Sequence, residues 1–143
     1  MRSTFDRIRQ AVLFELGGLF IATPLASAIM GQPMTKTGSF VIATSVVATC
    51  WNYLYNLGFD HLLRWTTGST QKRVWHRIVH AIGFETALIA ALWPLAKVWM
   101  GIGWGPAFGL VAGLAVFYII YALVFTWVYD MVFPDPDSAG SGT

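Results

Sequence analysis

Four long apolar stretches follow one another along the chain, at residues 10–30, 40–63, 78–100 and 104–133. Each is at least as long as the roughly 20 residues that an α-helix needs to cross the hydrocarbon core of a bilayer. Polar or helix-breaking residues separate them, as Gly31-Gln32-Pro33 does after the first. The pattern predicts an all-α membrane protein with four transmembrane helices. The first stretch is too long for the apolar part of a secretory signal peptide, so we expect it to remain in the mature protein.

The composition of the chain agrees with this prediction and excludes a soluble domain. Hydrophobic residues make up 56% of the 143 positions and charged residues 11%, whereas a typical globular domain is about a quarter charged. So few charges cannot cover the surface of a small soluble fold. The net charge of +2 gives no sign of a nucleic-acid-binding surface. The single cysteine, Cys50, lies inside the second stretch, so a disulfide within the chain is excluded.

The positions of lysine and arginine predict the orientation in the membrane. Seven of these nine residues precede the first stretch or lie between the second and the third: Arg2, Arg7, Arg9, Arg64, Lys72, Arg73 and Arg77. Only Lys36 and Lys97 lie at the opposite ends of the stretches. Because loops rich in lysine and arginine remain on the cytoplasmic side, we expect both termini and the central loop to be cytoplasmic.

The chain contains an internal repeat with an offset of 70 residues. Residues 7–15 and 77–85 both read R-I-x-x-A-x-x-F-E, and the register continues without a gap to the end of the fourth stretch. We therefore divide the chain into a first hairpin repeat at 1–70, a second at 71–134 and a tail at 135–143 that we expect to be disordered. Because each copy contains two spans, both copies enter the membrane in the same direction. This predicts two parallel two-helix repeats related by a pseudo-two-fold axis along the membrane normal.

Two carboxylates lie where charge is costly. Glu15 and Glu85 each follow an arginine by eight residues, which corresponds to about 12 Å along a helix. The arginines can reach the headgroups by snorkelling, whereas the shorter glutamates cannot follow. We expect both glutamates to face the interior of a four-helix bundle, where burial favours the protonated form of a carboxyl group. They are candidate proton-binding and substrate-binding residues.

Polar and aromatic side chains accompany these carboxylates. Two polar stripes have helical spacing. Asn52, Asn56 and Asp60 form the stripe on the second helix, and Ala122, Thr126 and Asp130 form its diluted repeat on the fourth. The aromatic residues beside the stripes and the glutamates are Phe14, Trp51, Tyr55, Phe84, Tyr121, Phe125 and Trp127. Aromatic faces around an anionic centre attract organic cations, at about 0.5–2 kcal/mol per contact. The sequence therefore indicates a binding site for cations.

Structural roles for the same residues stay open at this point. The glutamates can act as interhelical packing contacts with Gln10, His80 or asparagine side chains, and most of the aromatic residues can belong to an interfacial belt. The secondary acidic residues Asp60 and Asp130 lie near the cytoplasmic helix ends. There, contact with water or an ion pair is the more ordinary role, and the expected partners are Arg64, Arg7 and Arg77.

The histidines and glycines add weaker signals. His76 and His80 lie four residues apart on one helical face, but no acidic or cysteine residue nearby completes a metal site, so we predict no metal. His80 is a candidate hydrogen-bond partner or proton relay for the carboxylates. Gly105, Gly109 and Gly113 form a ridge of small residues on the fourth helix, which can pack closely within the chain or against a second copy.

These motifs resemble those of the proteobacterial antimicrobial compound efflux (PACE) transporters, which are also described as bacterial transmembrane pair domain proteins. The resemblance rests on the paired R-x-x-[HQ]-A-x-x-F-E segments, on Trp51-Asn52-x-x-Tyr55-Asn56 in the second stretch and on Tyr129-Asp130 at the end of the fourth. It covers residues 5 to about 133, with the motifs in the same order and at the same spacing.

The resemblance implies a four-helix protein of the bacterial inner membrane that exchanges protons for cationic compounds. Similar proteins export biocides such as chlorhexidine, dequalinium, benzalkonium and acridine dyes, and some export the diamines putrescine and cadaverine. The family's membrane-embedded acidic residue corresponds to Glu15, and its repeat counterpart to Glu85. The asparagine motif of the family corresponds to Asn52 and Asn56.

One position departs from the family pattern. Gln10 stands in the first copy where the family commonly has histidine, and only the second copy keeps it, as His80. Since glutamine does not titrate near neutral pH, a proton relay through this position is absent from the first copy.

The resulting hypothesis is a proton-coupled antiporter of organic cations, not an enzyme, that uses the proton gradient and no cofactor. Deprotonated Glu15, helped by Glu85 and the aromatic side chains, binds the cation, and protonation releases it. Because four helices barely enclose a path, we expect a homodimer. Two alternatives stay open: a membrane scaffold or assembly protein that does not transport, and an intramembrane redox or haem protein that uses His76 and His80.

Overall fold

The computed structural model describes residues 2–69 and 71–135, which form four α-helices without any strand among them. The helices are α1 (Thr4–Met30), α2 (Met34–Thr67), α3 (Val74–Met100) and α4 (Trp104–Val132). The predicted all-α fold with four helices is confirmed. The tail predicted to be disordered lies outside the described residues from residue 136 onwards.

Three of the helices, α1, α3 and α4, are long and apolar enough to cross a membrane. The fourth, α2, is the longest with 34 residues, or about 51 Å at 1.5 Å per residue. It is less apolar because threonine, serine and asparagine residues interrupt its hydrophobic stretch. Large apolar side chains point outwards, as Phe20 and Val98 do with 81% and 80% of their surface exposed. Such a surface suits contact with lipid and not with water.

The helices begin earlier than hydropathy alone predicts. The first and third apolar stretches begin at residues 10 and 78, whereas α1 and α3 begin at Thr4 and Val74. Side chains close the starts of α1 and α3: Ser3 Oγ accepts a hydrogen bond from the backbone N–H of Asp6, and His76 Nδ1 accepts one from that of Arg73. Polar residues also form helix outside the hydrocarbon region, so hydropathy marks only the part of a helix that lies in lipid.

Both hairpins turn in the same way. α1 ends at Gly31 and α3 at Gly101, with φ of 63° and 64°, a left-handed conformation that glycine adopts without the steric cost of a Cβ. The equivalent backbone hydrogen bonds that close the two turns, both 3.2 Å long, run from Gln32 to Ser27 and from Ile102 to Lys97. The repeat found in the sequence therefore extends to the backbone of the turns.

The described chain divides into two compact units that differ from the two sequence repeats. One unit contains the chain up to Gly38 and from Ala112 onwards, and the other contains Ser39–Val111. In the first unit α1 packs against the later part of α4, and in the second unit α3 packs against the later part of α2. The first helix of each repeat therefore has its partner on the second helix of the other repeat.

Small residues allow close packing in the first unit, and larger ones fill the second. On α1 the buried residues are Gly18, Ala22, Ala26 and Ser27. In the second unit Phe40, Val41, Ala96 and Met100 are buried almost completely. These buried residues lie on the same helices as the candidate site residues.

Candidate functional site

The phenylalanine before Glu15 fixes the contact between α1 and α4 in the first unit. The hydroxyl of Tyr121 donates a hydrogen bond to the backbone oxygen of Phe14 over 2.9 Å. The Phe14 ring lies 4.9 Å from the Tyr121 ring and 5.3 Å from the Phe125 ring, between centroids. The absence of a side chain at Gly17 gives the Tyr121 hydroxyl its space. The contact places Glu15 next to a group of aromatic rings.

A cavity of about 250 Å³ adjoins this contact. It is lined by Arg7, Gln10, Ala11, Phe14, Glu15, Phe125 and Thr126. Glu15 is exposed, so the expected burial in a closed interior is wrong for this residue. The structure instead gives it an open cavity whose lining combines a carboxylate, the Arg7 guanidinium and aromatic rings.

The second unit repeats the contact with different side chains. The indole nitrogen of Trp51 donates to the backbone oxygen of Phe84 over 3.3 Å, and the Tyr55 and Phe84 rings lie 5.5 Å apart. With the offset of 70, Trp51 takes the place of Tyr121, and Tyr55 takes that of Phe125. Glu85 follows Phe84 on α3 and is half-buried. The two glutamates therefore occupy equivalent positions beside equivalent aromatic groups.

The asparagine motif of α2 holds His80. Asn56 Nδ2 donates to the backbone oxygen and the Oδ1 of Asn52, over 2.7 and 2.8 Å. Its own Oδ1 lies 2.9 Å from His80 Nε2, and because this oxygen can only accept, the histidine donates. The His80 ring also lies 4.9 Å from the Tyr55 ring and 4.7 Å from the Phe59 ring, between centroids. The structure thus brings together the predicted residues Asn52, Asn56, Tyr55 and His80.

The acidic residues at the helix ends have other partners than those we expected. Asp60 Oδ1 lies 2.9 Å from Lys72 Nζ, and Asp130 Oδ1 lies 2.5 Å from an Arg2 nitrogen. The expected pairs with Arg64, Arg7 and Arg77 are wrong. The basic residues that precede α3 and α1 reach across the ends of α2 and α4, which spacing along a single helix cannot reveal. Lys72 and Arg2 are equivalent at the offset of 70, so these ion pairs are part of the repeat.

A larger polar network occurs in the first unit. Asp6 accepts hydrogen bonds from Arg2 and from the hydroxyl of Tyr129, both over 2.7 Å, and also binds Arg9. The roles of Arg2, Asp6 and Lys72 were not evident from helical spacing. The repeat offset was the available signal, because it aligns Arg2 with Lys72 and Asp130 with Asp60.

His76 and Trp127 do not join either site. His76 Nδ1 accepts a hydrogen bond from the backbone N–H of Arg73, so its role is to close the start of α3. Across residues 2–69 and 71–135 there is no cluster of three metal-ligating side chains. Trp127 is 66% exposed, as expected for a side chain in contact with lipid.

The fold and the site together define a class: a small helical membrane protein with a carboxylate, an arginine and aromatic rings around an open cavity. The family model described as chlorhexidine efflux transporter (BTP) matches residues 2–65 and 72–135. The chain therefore belongs to this family of membrane transporters, and the two matched segments confirm its two-repeat architecture. The family is described as one of transporters and not of enzymes.

Three curated proteins are similar over nearly the whole chain, and each is named short-chain diamines transporter. The protein from Vibrio parahaemolyticus is 38% identical over 130 residues, which cover 90% of this chain and 91% of the relative. The one from Acinetobacter baumannii is 31% identical over 140 residues, 93% and 94% of the two chains. The one from Acinetobacter baylyi is 30% identical over 126 residues, 88% of each. No solved structure matches the chain.

Proposed function

We propose that this chain exports small organic cations across the bacterial inner membrane in exchange for protons. Export of small cationic compounds accords with the family and with the three relatives. The cavity beside Glu15 carries the proposal of proton exchange, because one carboxylate there can hold either a proton or a cation. Glu85, Asn52, Asn56 and His80 form the equivalent site of the second copy.

The cavity has room for a compact cationic group. Pockets for drug-sized ligands have volumes of roughly 300–1,000 Å³, and this cavity has about 250 Å³. A short diamine such as putrescine, or one cationic end of a longer biocide, fits within this volume, and because the cavity is open, a longer cargo can extend out of it. The Phe14 and Phe125 rings supply aromatic faces for the cation, and Glu15 supplies the opposite charge.

Because a proton and the cation compete for Glu15, the movement of one across the membrane is coupled to the movement of the other. With Glu15 deprotonated, the site binds a cation from the cytoplasm or the inner leaflet. Protonation on the outer side removes the charge that held the cation, which is released. The cycle requires two conformations with different affinities for the cation, since a ligand shifts an equilibrium only by its differential affinity.

The protein acts as a homodimer in this proposal. Glu15 is exposed on the single chain, and an ionisable group facing lipid is costly. On α4, a Cβ added at Gly105, Gly109 or Gly113 meets no atom within 4 Å. This bare ridge permits the close approach of a second helix, and a second copy supplies further walls for a transport path.

The test is putrescine uptake into proteoliposomes that contain the purified chain. Acid-loaded vesicles diluted into alkaline buffer should accumulate putrescine as protons leave, and empty liposomes measure the leak. Glu15→Gln keeps the size of the side chain but cannot ionise, so uptake should fall to the leak rate. Glu85→Gln makes the same change in the second copy and is expected to slow uptake without abolishing it.

Equal uptake by the wild type and Glu15→Gln would show that Glu15 does not couple transport to protons. If Glu85→Gln alone abolished uptake, the coupling carboxylate would be the one in the second copy. Uptake that is independent of the pH gradient would contradict antiport while leaving cation transport in place.

A further inference from the structure

The two copies present the same aromatic frame beside their glutamates. In the first unit the frame consists of Phe14, Phe125 and Thr126, and in the second it consists of Phe84, Tyr55 and Asn56; these are equivalent positions at the offset of 70. We call them the first and the second frame. The two rings of the first frame are 5.3 Å apart at 85°, and those of the second are 5.5 Å apart at 74°. Both pairs therefore have the same edge-to-face geometry.

A different residue faces each frame. In the second, the His80 ring lies parallel to the Phe84 ring at 6.4 Å and edge-on to the Tyr55 ring at 4.9 Å. Its Nε2 is held by the Asn56 oxygen at 2.9 Å. The imidazole therefore lies against the second frame, with the Phe59 ring on it as well at 4.7 Å. This is the position in which a cationic ligand would make the same contacts.

In the first frame the equivalent residue is Gln10, which has no ring. The cavity of about 250 Å³ lies here, and Gln10, Phe14, Phe125 and Thr126 are all part of its wall. Threonine at position 126 is also shorter than the asparagine at position 56. The space that an imidazole fills in one unit is thus part of a cavity in the other, next to Glu15.

We propose that the two glutamates are not equivalent: the first frame binds the cationic cargo, whereas the second is occupied by the protein's own His80. The protein then binds one cation per chain although its sequence repeat contains two carboxylate sites. The inference rests on the proposed function. It assigns to Gln10 in the first copy and to its equivalent His80 in the second the role of deciding which copy accepts cargo.

The experiment is a fluorescence titration of the purified protein in detergent with proflavine, a planar organic cation. The wild type should bind one proflavine per chain, and Glu15→Gln should abolish that binding. His80→Gln gives the second frame a glutamine, as Gln10 gives the first, and should raise the number of bound proflavine molecules to two per chain. Gln10→His should lower the affinity of the first frame by about tenfold or more, because the imidazole competes for the rings.

The exchanged double variant, Gln10→His with His80→Gln, gives the sharpest result. It should again bind one proflavine per chain, but the binding should now depend on Glu85 and no longer on Glu15. His61→Gln removes an exposed histidine of α2 outside both frames and should behave as the wild type. Gel filtration identifies variants that have lost their fold, and Gln10→His tests the proposal even if His80→Gln is one of them.

The possible failures are distinguishable. Two proflavine molecules per wild-type chain would overturn the inference and leave the proposed function in place. So would a single site per chain if His80→Gln added no second site and Gln10→His did not weaken the first. A wild type that binds no proflavine would overturn the inference, and one that also transports no putrescine would overturn the proposed function with it.

Discussion

The backbone oxygen of the phenylalanine before each glutamate accepts a hydrogen bond from an aromatic residue of the partner helix. Tyr121 donates to Phe14 in the first unit and Trp51 to Phe84 in the second. A helical carbonyl has a second lone pair for such a bond, which contributes about 0.5–1.5 kcal/mol to stability. The chemistry of the donor differs between the copies, but its position is the same. This contact fixes each glutamate relative to its aromatic rings.

Gly83 determines the position of the Tyr55 ring. The Tyr55 hydroxyl lies against Gly83 so closely that an added Cβ would overlap with it. We expect Gly83→Ala to displace Tyr55 from the second frame. Overpacking usually costs about 1–3 kcal/mol, and alanine regains about 1 kcal/mol of helix propensity, so the free energy of unfolding should fall by up to about 2 kcal/mol. The measurement is thermal unfolding of the protein in detergent.

Gly58→Ala is the matched control for this prediction. Gly58 also lies within a helix of the second unit, and nothing is within 4 Å of an added Cβ there. Because alanine favours helix over glycine by about 1 kcal/mol, this variant should be as stable as the wild type or more stable. Equal stability of the two variants would show that Tyr55 moves aside at no cost.

At the scale of elements, the ends of the helices are organised twice in the same way. Each pair of packed helices carries an ion pair at one end, Arg2 with Asp130 and Lys72 with Asp60. In each pair the cation also lies over a ring of the partner helix, 5.1 Å from Tyr129 for Arg2 and 5.5 Å from Phe59 for Lys72. Exposed ion pairs contribute only about 0–1 kcal/mol, so these contacts define the pairing of helix ends more than they stabilise the fold.

The hairpin turns contribute more than the ion pairs. Gly101 has a φ of 64°, where a residue with a Cβ costs roughly 1–2 kcal/mol. We therefore expect Gly101→Ala to destabilise the protein in detergent by about that amount. Gly58→Ala, within α2 and also with open space around the added Cβ, should not. Equal stabilities would mean that the turn adopts another conformation without cost.

At the scale of the whole molecule, the distribution of charge predicts the orientation in the membrane. Seven of the nine lysine and arginine residues lie in the terminal and central segments, and Lys36 and Lys97 lie on the other side. With cytoplasmic termini, the turn that contains Gln32 faces the outside, whereas Ser69 in the central segment faces the cytoplasm.

Single cysteines test this orientation. In a Cys50→Ser background, Gln32→Cys should react with a membrane-impermeant maleimide added to intact cells, and Ser69→Cys should react only after the cells are opened. The two variants serve as controls for each other, because each should be labelled fully in opened cells. The opposite labelling pattern would contradict cytoplasmic termini and would reverse the proposed direction of export.

The sequence alone predicted the features that are local or periodic. Apolar stretches long enough for a bilayer gave the number of helices, because a backbone in lipid must satisfy its own hydrogen bonds. The offset of 70 gave the two copies, including the turns at Gly31 and Gly101. It also placed Glu15 and Glu85 among the candidate residues, because a carboxylate in an apolar stretch stands out by its cost.

The tertiary structure decided which helices pack together and what each copy of the site contains. Helical spacing shows which residues share a face but not which helix that face meets, so the packing of α1 with α4 and of α2 with α3 needed the fold. For the same reason the expected partners of Asp60 and Asp130 were wrong. The sequence alone showed that Gln10 stands in the first copy at the position of His80 in the second. Only packing shows that one copy fills its aromatic frame with an imidazole while the other has a cavity beside Glu15, because the space around a side chain depends on residues distant along the chain.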